Sequence, residues 1–295
     1  MNLIFLGYHL SGLKTLNWFL EKPNYTIRSI FLPSNVNQTL VAPLEKIAKK
    51  NKIIYFYVNN KYDLLSHLKK MSIKEIDFII SDSWPFLLPN EFLIFPRQGC
   101  FNIHEGKLPE YRGAHIMNWQ IINGEKEAGI SLHQMTDKFD EGDIISYKTV
   151  SINFFDDINS LYDKLIKLIP YLLSDLDLFL KNQKSIIKQN NEKAHYYKRR
   201  KPEDGIINWN STSWQIYNLV RALKNPWPSA YTYYENSKID IIEGYPCMYQ
   251  DSNIAPGTII DISFDYALVK TKDGAFLIKS YVGETIKLGS VLQKA

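Results

Sequence analysis

Apolar residues come in short runs through the first hundred positions. Runs at residues 3–6, 27–32, 53–58 and 77–81 have lengths suited to buried strands. Between them, residues 13–20, 43–50 and 62–70 carry apolar side chains at helical spacing, and Pro43 suits the first turn of its helix. Strands alternating with helices predict an α/β domain whose parallel sheet is covered on both faces. Gly7 and Gly12 open the turn after the first strand, but they are not spaced as GxGxxG, which argues against a dinucleotide site.

The pattern changes in the second half. Residues 159–181 predict one long helix, with Leu161, Leu165, Leu168 and Leu172 on one face and Pro170 as a kink. Residues 184–203 are polar and charged and read as a linker. Residues 211–222 predict a helix capped by Ser211 or Thr212. After Asn225-Pro226-Trp227-Pro228, short segments at 231–234, 239–242, 257–262, 267–270, 274–279 and 289–292 alternate with turns. Closely spaced short strands predict a small β-barrel. The expected organisation is a catalytic domain over residues 1–190 and a C-terminal barrel over 204–295.

Bulk properties narrow the classes. The 295 residues carry a formal charge of +4, which permits an anionic small substrate without requiring nucleic acid. The two cysteines, Cys100 and Cys247, form no CxxC, and the six histidines form no HExxH. Neither zinc nor a disulfide framework is expected. The first residues, Met1 to Gly7, lack the charge and apolar length of a signal peptide, and no run is long enough for a membrane span. A cytoplasmic protein is the default expectation.

The densest chemistry lies between Phe101 and Asp143. In an extended segment Asn102 and His104 share a face. The loop Leu108-Pro109-Glu110-Tyr111-Arg112-Gly113 follows, then the extended run Gly129-Ile130-Ser131-Leu132-His133 and a turn with Asp137, Asp140, Gly142 and Asp143. An amide can donate to an oxyanion, an imidazole can move a proton, and a carboxylate can orient the imidazole. No serine or cysteine stands beside them as a nucleophile, so the attacking group would belong to the substrate.

These residues resemble a known family. The N-x-H segment, LPxYRG, Trp119 with Asn123-Gly124-Glu125, the G-x-S-x-H strand and the acidic turn are similar to the folate-dependent formyltransferases. Further segments are most similar to the sugar N-formyltransferase domain that formylates UDP-4-amino-4-deoxy-L-arabinose. They are Tyr8-His9, Asn191-Glu192, the run from Arg199 to Asp204, Trp209, and the run from Arg221 to Pro228.

The resemblance implies a Rossmann-like domain and a smaller C-terminal β-barrel of OB-like type. It implies N10-formyltetrahydrofolate as formyl donor, no metal, and the amine of a UDP- or dTDP-linked amino sugar as acceptor. It also implies a place in surface polysaccharide, that is lipopolysaccharide, synthesis. Asn102, His104 and Asp140 take the catalytic positions. Phe86, Leu87 and Leu88 take the loop that wraps the pterin, with Thr136, Asp137, Lys138 and Phe139 also on the cofactor. Tyr8, His9, Arg112, Lys198 and Arg199 are candidates for the acceptor. Arg112 reads equally well as a surface charge or an anion anchor. Lys198 and Arg199 belong to a basic cluster that reads as a diphosphate grip, a tRNA contact or a solvated linker. One departure stands out: the relative has arginine after the LPxYRG glycine, and this chain has Ala114, so that contact is either lost or supplied by His115.

Two alternatives remain. Methionyl-tRNA formyltransferase shares both domains, but its basic insertion after the second strand corresponds here to residues 33–42, which carry no charge. RNA affinity needs phosphate neutralisation. A non-catalytic folate-binding module is the other, and the intact Asn-His-Asp set argues against it. Nucleic acid and membrane are not expected partners; a homodimer is compatible with the sequence.

Overall fold

The computed structural model describes residues 1–70 and 75–293. It forms two compact units, each discontinuous in sequence. The first comprises Met1–Gly113, Gly129–Val150 and Asp163–Tyr196, and the second Ala114–Ala128, Ser151–Tyr162 and Tyr197–Ala295.

The chain opens with β1 (Asn2–Gly7), α1 (His9–Leu20), β2 (Thr26–Pro33), α2 (Ala42–Lys50), β3 (Ile54–Val58), α3 (Lys61–Lys70), β4 (Phe78–Asp82), α4 (Asn90–Leu93) and β5 (Cys100–His104). It continues through β6 (Arg112–Gly113), α5 (Ile116–Ile122), β7 (Glu127–Gln134), β8 (Ile144–Ser151), α6 (Ile158–Ile166), α7 (Ile169–Leu180) and β9 (Tyr196–Tyr197). The main sheet has the order β3-β2-β1-β4-β5-β7-β8. β1, β2, β3, β4 and β5 pair in parallel, whereas β7 runs antiparallel to β5. The sheet is therefore parallel-dominated rather than wholly parallel. The order reverses between β1 and β4, and in such sheets ligands bind beyond the strand C-termini at that reversal.

Alternation along the strands divides the core. Ile4 and Leu6 join Phe31, Ile79, Leu88 and Phe92 in one buried cluster. Phe19, Phe78 and Phe101 form a chain of ring contacts with Tyr25 and Phe179. α1 begins at His9, four residues before the apolar spacing starts, because its first buried residues are Ser11, Gly12 and Thr15. Pro170 starts α7 instead of kinking one long helix. Its fixed φ and missing N–H fit a first turn and would break a helix interior.

Residues 184–203 are not a free linker. Ile187 exchanges both backbone bonds with Ile144, at 2.7 and 2.8 Å, and the Arg112 N–H donates to His195 O at 2.9 Å. Most side chains of the stretch are exposed, as their polarity suggested, but Gln189, Asn191 and Tyr196 bond Arg112 within the first unit.

The second unit adds α8 (Ser213–Ala222), β10 (Ala230–Tyr234), β11 (Ser237–Cys247), β12 (Ile259–Ser263), β13 (Tyr266–Lys270) and β14 (Ala275–Val282). Thr212 caps α8, accepting from Gln215 N at 3.1 Å while Thr212 N donates to Gln215 Oε1 at 2.9 Å. The antiparallel sheet has the order β10-β11-β14-β13-β12. Residues 289–292, anticipated as a strand, instead make single bridges. Val291 pairs with Thr258 beside one edge strand and Gln293 with Tyr233 on the other, so the tail links both edges of the sheet. Ile207, Trp209, Ile239, Val269, Phe276 and Ile278 fill the interior. Among the described residues no helix is long and apolar enough to cross a membrane.

Candidate functional site

The C-terminal end of β5 carries Asn102 and His104, and its antiparallel register sets Asn102 opposite His133 of β7. Ser81 Oγ donates to Asn102 Oδ1 at 2.9 Å. That contact fixes the amide's orientation and turns its NH₂ toward His133 Nε2, 3.2 Å away. An amide nitrogen carries two hydrogens. One faces His133, and the second remains for another acceptor.

Asp140 completes the group. Its Oδ1 lies 3.6 Å from His104 Nδ1 and 3.5 Å from His133 Nε2, and its Oδ2 accepts from Gly113 N at 2.9 Å. Burial opposes the charged carboxylate, but the charge on His104, the contact with His133 and the Gly113 amide outweigh it and hold Asp140 well below the usual carboxylate range. His104 Nε2 meets Tyr111 O at 2.7 Å, and His133 Nδ1 meets Gln134 O at 2.7 Å, so the backbone orients both rings.

The turn that delivers Asp140 is built with strain and bracing. Asp140 itself has φ +55°, a left-handed conformation unusual for a non-glycine residue. A Cβ on Gly142 would sit 1.9 Å from Gln134 O, so only glycine fits there. Gln189 Nε2 donates to Asp140 O at 2.8 Å and to Gly142 O at 2.7 Å. Arg112 in turn donates to Gln189 Oε1 from Nε and Nη2, to Asn191 Oδ1 from Nη2 and to Tyr196 from Nη1. At 2% exposure, Arg112 is neither a surface charge nor a hand open to an anion. Its donors brace the Asp140 turn.

The chain matches the formyl transferase family model over residues 40–175 and the formyl transferase C-terminal domain model over residues 199–287. It is 37% identical over 227 residues to the methionyl-tRNA formyltransferase of Caldanaerobacter subterraneus subsp. tengcongensis, covering 75% of this chain and 70% of that protein. The chain belongs to the folate-dependent formyltransferase family. It is also 35% identical over 255 residues to the bifunctional polymyxin resistance protein ArnA of Wigglesworthia glossinidia brevipalpis, covering 85% of this chain but only 37% of that longer protein. Its fold is similar to that of an N-formyltransferase from Helicobacter canadensis solved with folinic acid and dTDP-3-aminofucose. The TM-score is 0.70 at 21% identity, over 95% of this chain and 99% of that one.

The other positions singled out by resemblance to the formyltransferases fall as follows. Phe86, Leu87 and Leu88 lie on the loop after β4. Leu88 is 3% exposed and belongs to the core, while Phe86 packs edge-on against Trp84 with centroids 5.6 Å apart. Trp84 Nε1 is buried with no partner among the described residues. Apolar walls and one unpaired donor suit a flat heterocycle with acceptor atoms. Thr136, Asp137, Lys138 and Phe139 form the turn before Asp140. Thr136 Oγ1 and the Lys138 backbone bond each other, and Phe139 is 53% exposed. Tyr8 and His9 follow β1 at the sheet reversal, with edge-on rings 6.2 Å apart and His9 in a left-handed conformation, φ +68°. Burial lowers the His9 pKa.

Lys198 and Arg199 belong to the second unit and are exposed. Their neighbour Arg200 is committed: it lies over Trp119 at 5.6 Å and donates from Nη2 to Asp204 O at 2.7 Å. His115 does not replace the missing arginine with a charge. It accepts from Arg200 N at 3.2 Å, and burial with the charges of Arg199 and Arg200 pushes its pKa down to about 4.

His133, Ser81 and Gln189 went unassigned from the sequence. His133 stood in the G-x-S-x-H strand, two residues from Ser131, and alternation across paired strands was the signal that could have found it. Among the described residues no three His, Cys, Asp or Glu side chains group to hold a metal ion.

Proposed function

We propose that this protein transfers the formyl group of N10-formyltetrahydrofolate to the amine of a nucleotide-linked 4-amino sugar carried on UDP or dTDP. The observation that carries the chemistry is the Asn102 amide, oriented by Ser81 at 2.9 Å, beside two imidazoles that share Asp140. In this reading the acceptor nitrogen attacks the formyl carbon, a new C–N bond forms, and the bond to N10 breaks. The second hydrogen of the Asn102 amide stabilises the developing oxyanion. His104, backed by Asp140, handles the proton that leaves the amine and is replaced on N10. Trp84, Phe86, Leu87 and Leu88 supply apolar walls for the pterin, with residues 136–139 on the same cofactor. Tyr8 and His9 are the first unit's candidates for the acceptor sugar, and Lys198 and Arg199 are the second unit's candidates for a diphosphate.

Charge supports a nucleotide sugar over an RNA. Residues 33–42 carry no charge, the net charge is only +4, and the longest unbroken basic run spans residues 198–201. One or two basic residues suit a diphosphate, whereas an acceptor stem requires more. The product would then serve surface polysaccharide synthesis inside the cell. The second reading, methionyl-tRNA formyltransferase, is favoured by the 37% identity to such an enzyme over 70% of its length. Competition between UDP- and dTDP-4-amino sugars and methionyl-tRNA for limiting formyl donor, read by mass, separates the two. Label on methionyl-tRNA with every nucleotide sugar unmodified would overturn the first reading.

A further inference from the structure

Two imidazoles stand around the Asp140 carboxylate, and their partners differ in kind. His104 meets Tyr111 O from Nε2 at 2.7 Å and faces Asp140 Oδ1 from Nδ1 at 3.6 Å. Both of its nitrogens look at acceptors, which suits a ring protonated on both. His133 is placed otherwise. Its Nδ1 lies 2.7 Å from Gln134 O, and its Nε2 lies 3.2 Å from the Asn102 amide nitrogen. A carbonyl oxygen only accepts, so Nδ1 carries a hydrogen. An amide nitrogen only donates, so Nε2 is the bare, accepting nitrogen of a neutral ring.

These bonds form one chain across three strands. Ser81 stands opposite Asn102 across β4 and β5, and Asn102 opposite His133 across β5 and β7. The Ser81 hydroxyl donates to Asn102 Oδ1, the Asn102 amide donates to His133 Nε2, and His133 Nδ1 donates to Gln134 O. Every donor points the same way, and the carbonyl at the end fixes the direction. Ser81 is 0% and His133 2% exposed, so solvent does not stand in for a lost partner at either end of the amide.

A proton on His133 Nε2 would break this order by setting one donor against another. Either the Asn102 amide would turn over, carrying its free hydrogen to the other end of the group, or the new N–H would turn to Asp140 Oδ1, 3.5 Å away. The second course spends on His133 the carboxylate that backs His104. It also puts two cations around one anion, with ring centroids 6.3 Å apart. Asp140 does draw a proton toward His133, but the amide donor is nearer.

We propose that His133 is a positioning residue: as a neutral acceptor it holds the Asn102 amide in the orientation that presents one hydrogen to the formyl oxygen, and it leaves the charge of Asp140 to His104. The catalytic consequence rests on the formyl-transfer reading; the state of the ring and the direction of the chain do not.

Two measurements on the full chain test this. The first is long-range proton–nitrogen NMR of histidine-labelled protein at neutral pH, with the His133 signals identified by their loss in His133→Gln. The ring should show a protonated Nδ1 and a bare Nε2, and Asn102→Ala should move the Nε2 signal far more than the Nδ1 signal. A ring protonated at Nε2, or an Nε2 signal that ignores Asn102→Ala, overturns the proposal. The second is the kinetics of formyl transfer. His133→Leu keeps much of the volume and removes the acceptor, so kcat should fall by roughly 10–10²-fold with KM unchanged. His133→Gln restores an acceptor near the place of Nε2 and should recover most of that loss. In an Asn102→Ala background His133→Leu should cost almost nothing further, because the amide it positions is gone. Losses that multiply in the double variant, or no recovery in His133→Gln, overturn the positioning role. If His133→Leu fails to fold, His133→Gln in the two backgrounds and the wild-type spectrum decide. If the wild type formylates no acceptor, the substrate reading falls, and the spectra still decide the state of the ring.

Discussion

Two aspartates of the first unit, both taken from solvent, have their charges treated in opposite ways. Asp140 is 9% exposed and Asp82 0% exposed. Desolvation penalises both carboxylates. Asp140 meets two imidazoles and a backbone N–H, and it is held ionised. Asp82 meets hydroxyls and a second carboxylate, and it is pushed toward its protonated form. Burial therefore fixes how much each environment matters, and the partner's charge fixes the direction.

Removing the charge from the first aspartate should have the largest effect. Asp140→Asn keeps the shape but cannot favour an imidazolium, and loss of the carboxylate behind a catalytic histidine costs on the order of 10⁴-fold in kcat in hydrolytic triads. A loss on the order of 10³–10⁴-fold is expected here. Its pH dependence contrasts with that of Asp82. The depressed Asp140 carboxyl contributes stability above its unfolded value of 3.8, lost as pH falls through the lower folded value. The stability difference between wild type and Asp140→Asn should then be full at neutral pH and shrink in acid. The raised Asp82 carboxyl contributes stability that is full below 3.8 and lost as pH rises toward neutrality. Melting curves in which Asp140→Asn and Asp82→Asn follow the same pH trend would break the comparison.

Asn102→Ala comes next. It removes an oxyanion donor and leaves both aspartates with their charges, so kcat should fall about 10²–10³-fold with the same pH profile as wild type. Near-wild-type turnover would remove the amide from the mechanism.

Gln189→Ala probes how the first aspartate is held. Both amide hydrogens of Gln189 go to the turn, on Asp140 O and Gly142 O, and its oxygen takes two Arg112 donors. Leaving those buried groups unpaired costs about 1–3 kcal/mol each. Freed from its brace, Asp140 should relax from its left-handed conformation and move off the imidazoles, lowering kcat by roughly 10–10²-fold. Full activity with reduced stability would show that β5, β7 and the Gly113 amide suffice to seat it.

The legibility of these features follows their distance in sequence. Apolar runs gave β1 to β4 of the main sheet but not β8, and the spacing of Asn102 and His104 put both on one face, because such signals repeat within a few residues. Asp140 was legible through the family pattern. His133 was visible as a residue, yet its place depended on the register of β5 against β7, which periodicity alone does not reveal. Asp82 and Glu105 lie on separate strands, and only the sheet order joins them through Ser83. Within residues 184–203 the contacts of a few residues were hidden for a related reason. Polarity suggested solvent, and most of these side chains are exposed, yet Ile187, Gln189 and Asn191 spend polar groups on Ile144, the Asp140 turn and Arg112. Pro170 was read as a kink because a proline inside an apolar repeat does not say whether it interrupts a helix or starts one.

An exposed pair extends the comparison to its weakest case. Lys198 Nζ lies 3.8 Å from Asp204 Oδ1, and the lysine side chain is 74% exposed. Here solvent screens the attraction, and such pairs contribute about 0–1 kcal/mol. Lys198→Ala should change the melting temperature little at any pH, unlike either buried aspartate. Any effect of Lys198→Ala and Arg199→Ala should appear in binding. If these side chains reach the diphosphate, KM for the nucleotide sugar should rise by about 5–10-fold per residue, kcat should hold, and the penalty should shrink as added salt screens the contact. A KM unchanged in the double variant would leave residues 198–201 as a solvated surface and return the recognition of the diphosphate to the first unit. A fall in kcat with KM unchanged would instead tie these lysine and arginine charges to the chemical step, against the view that only buried charges govern it.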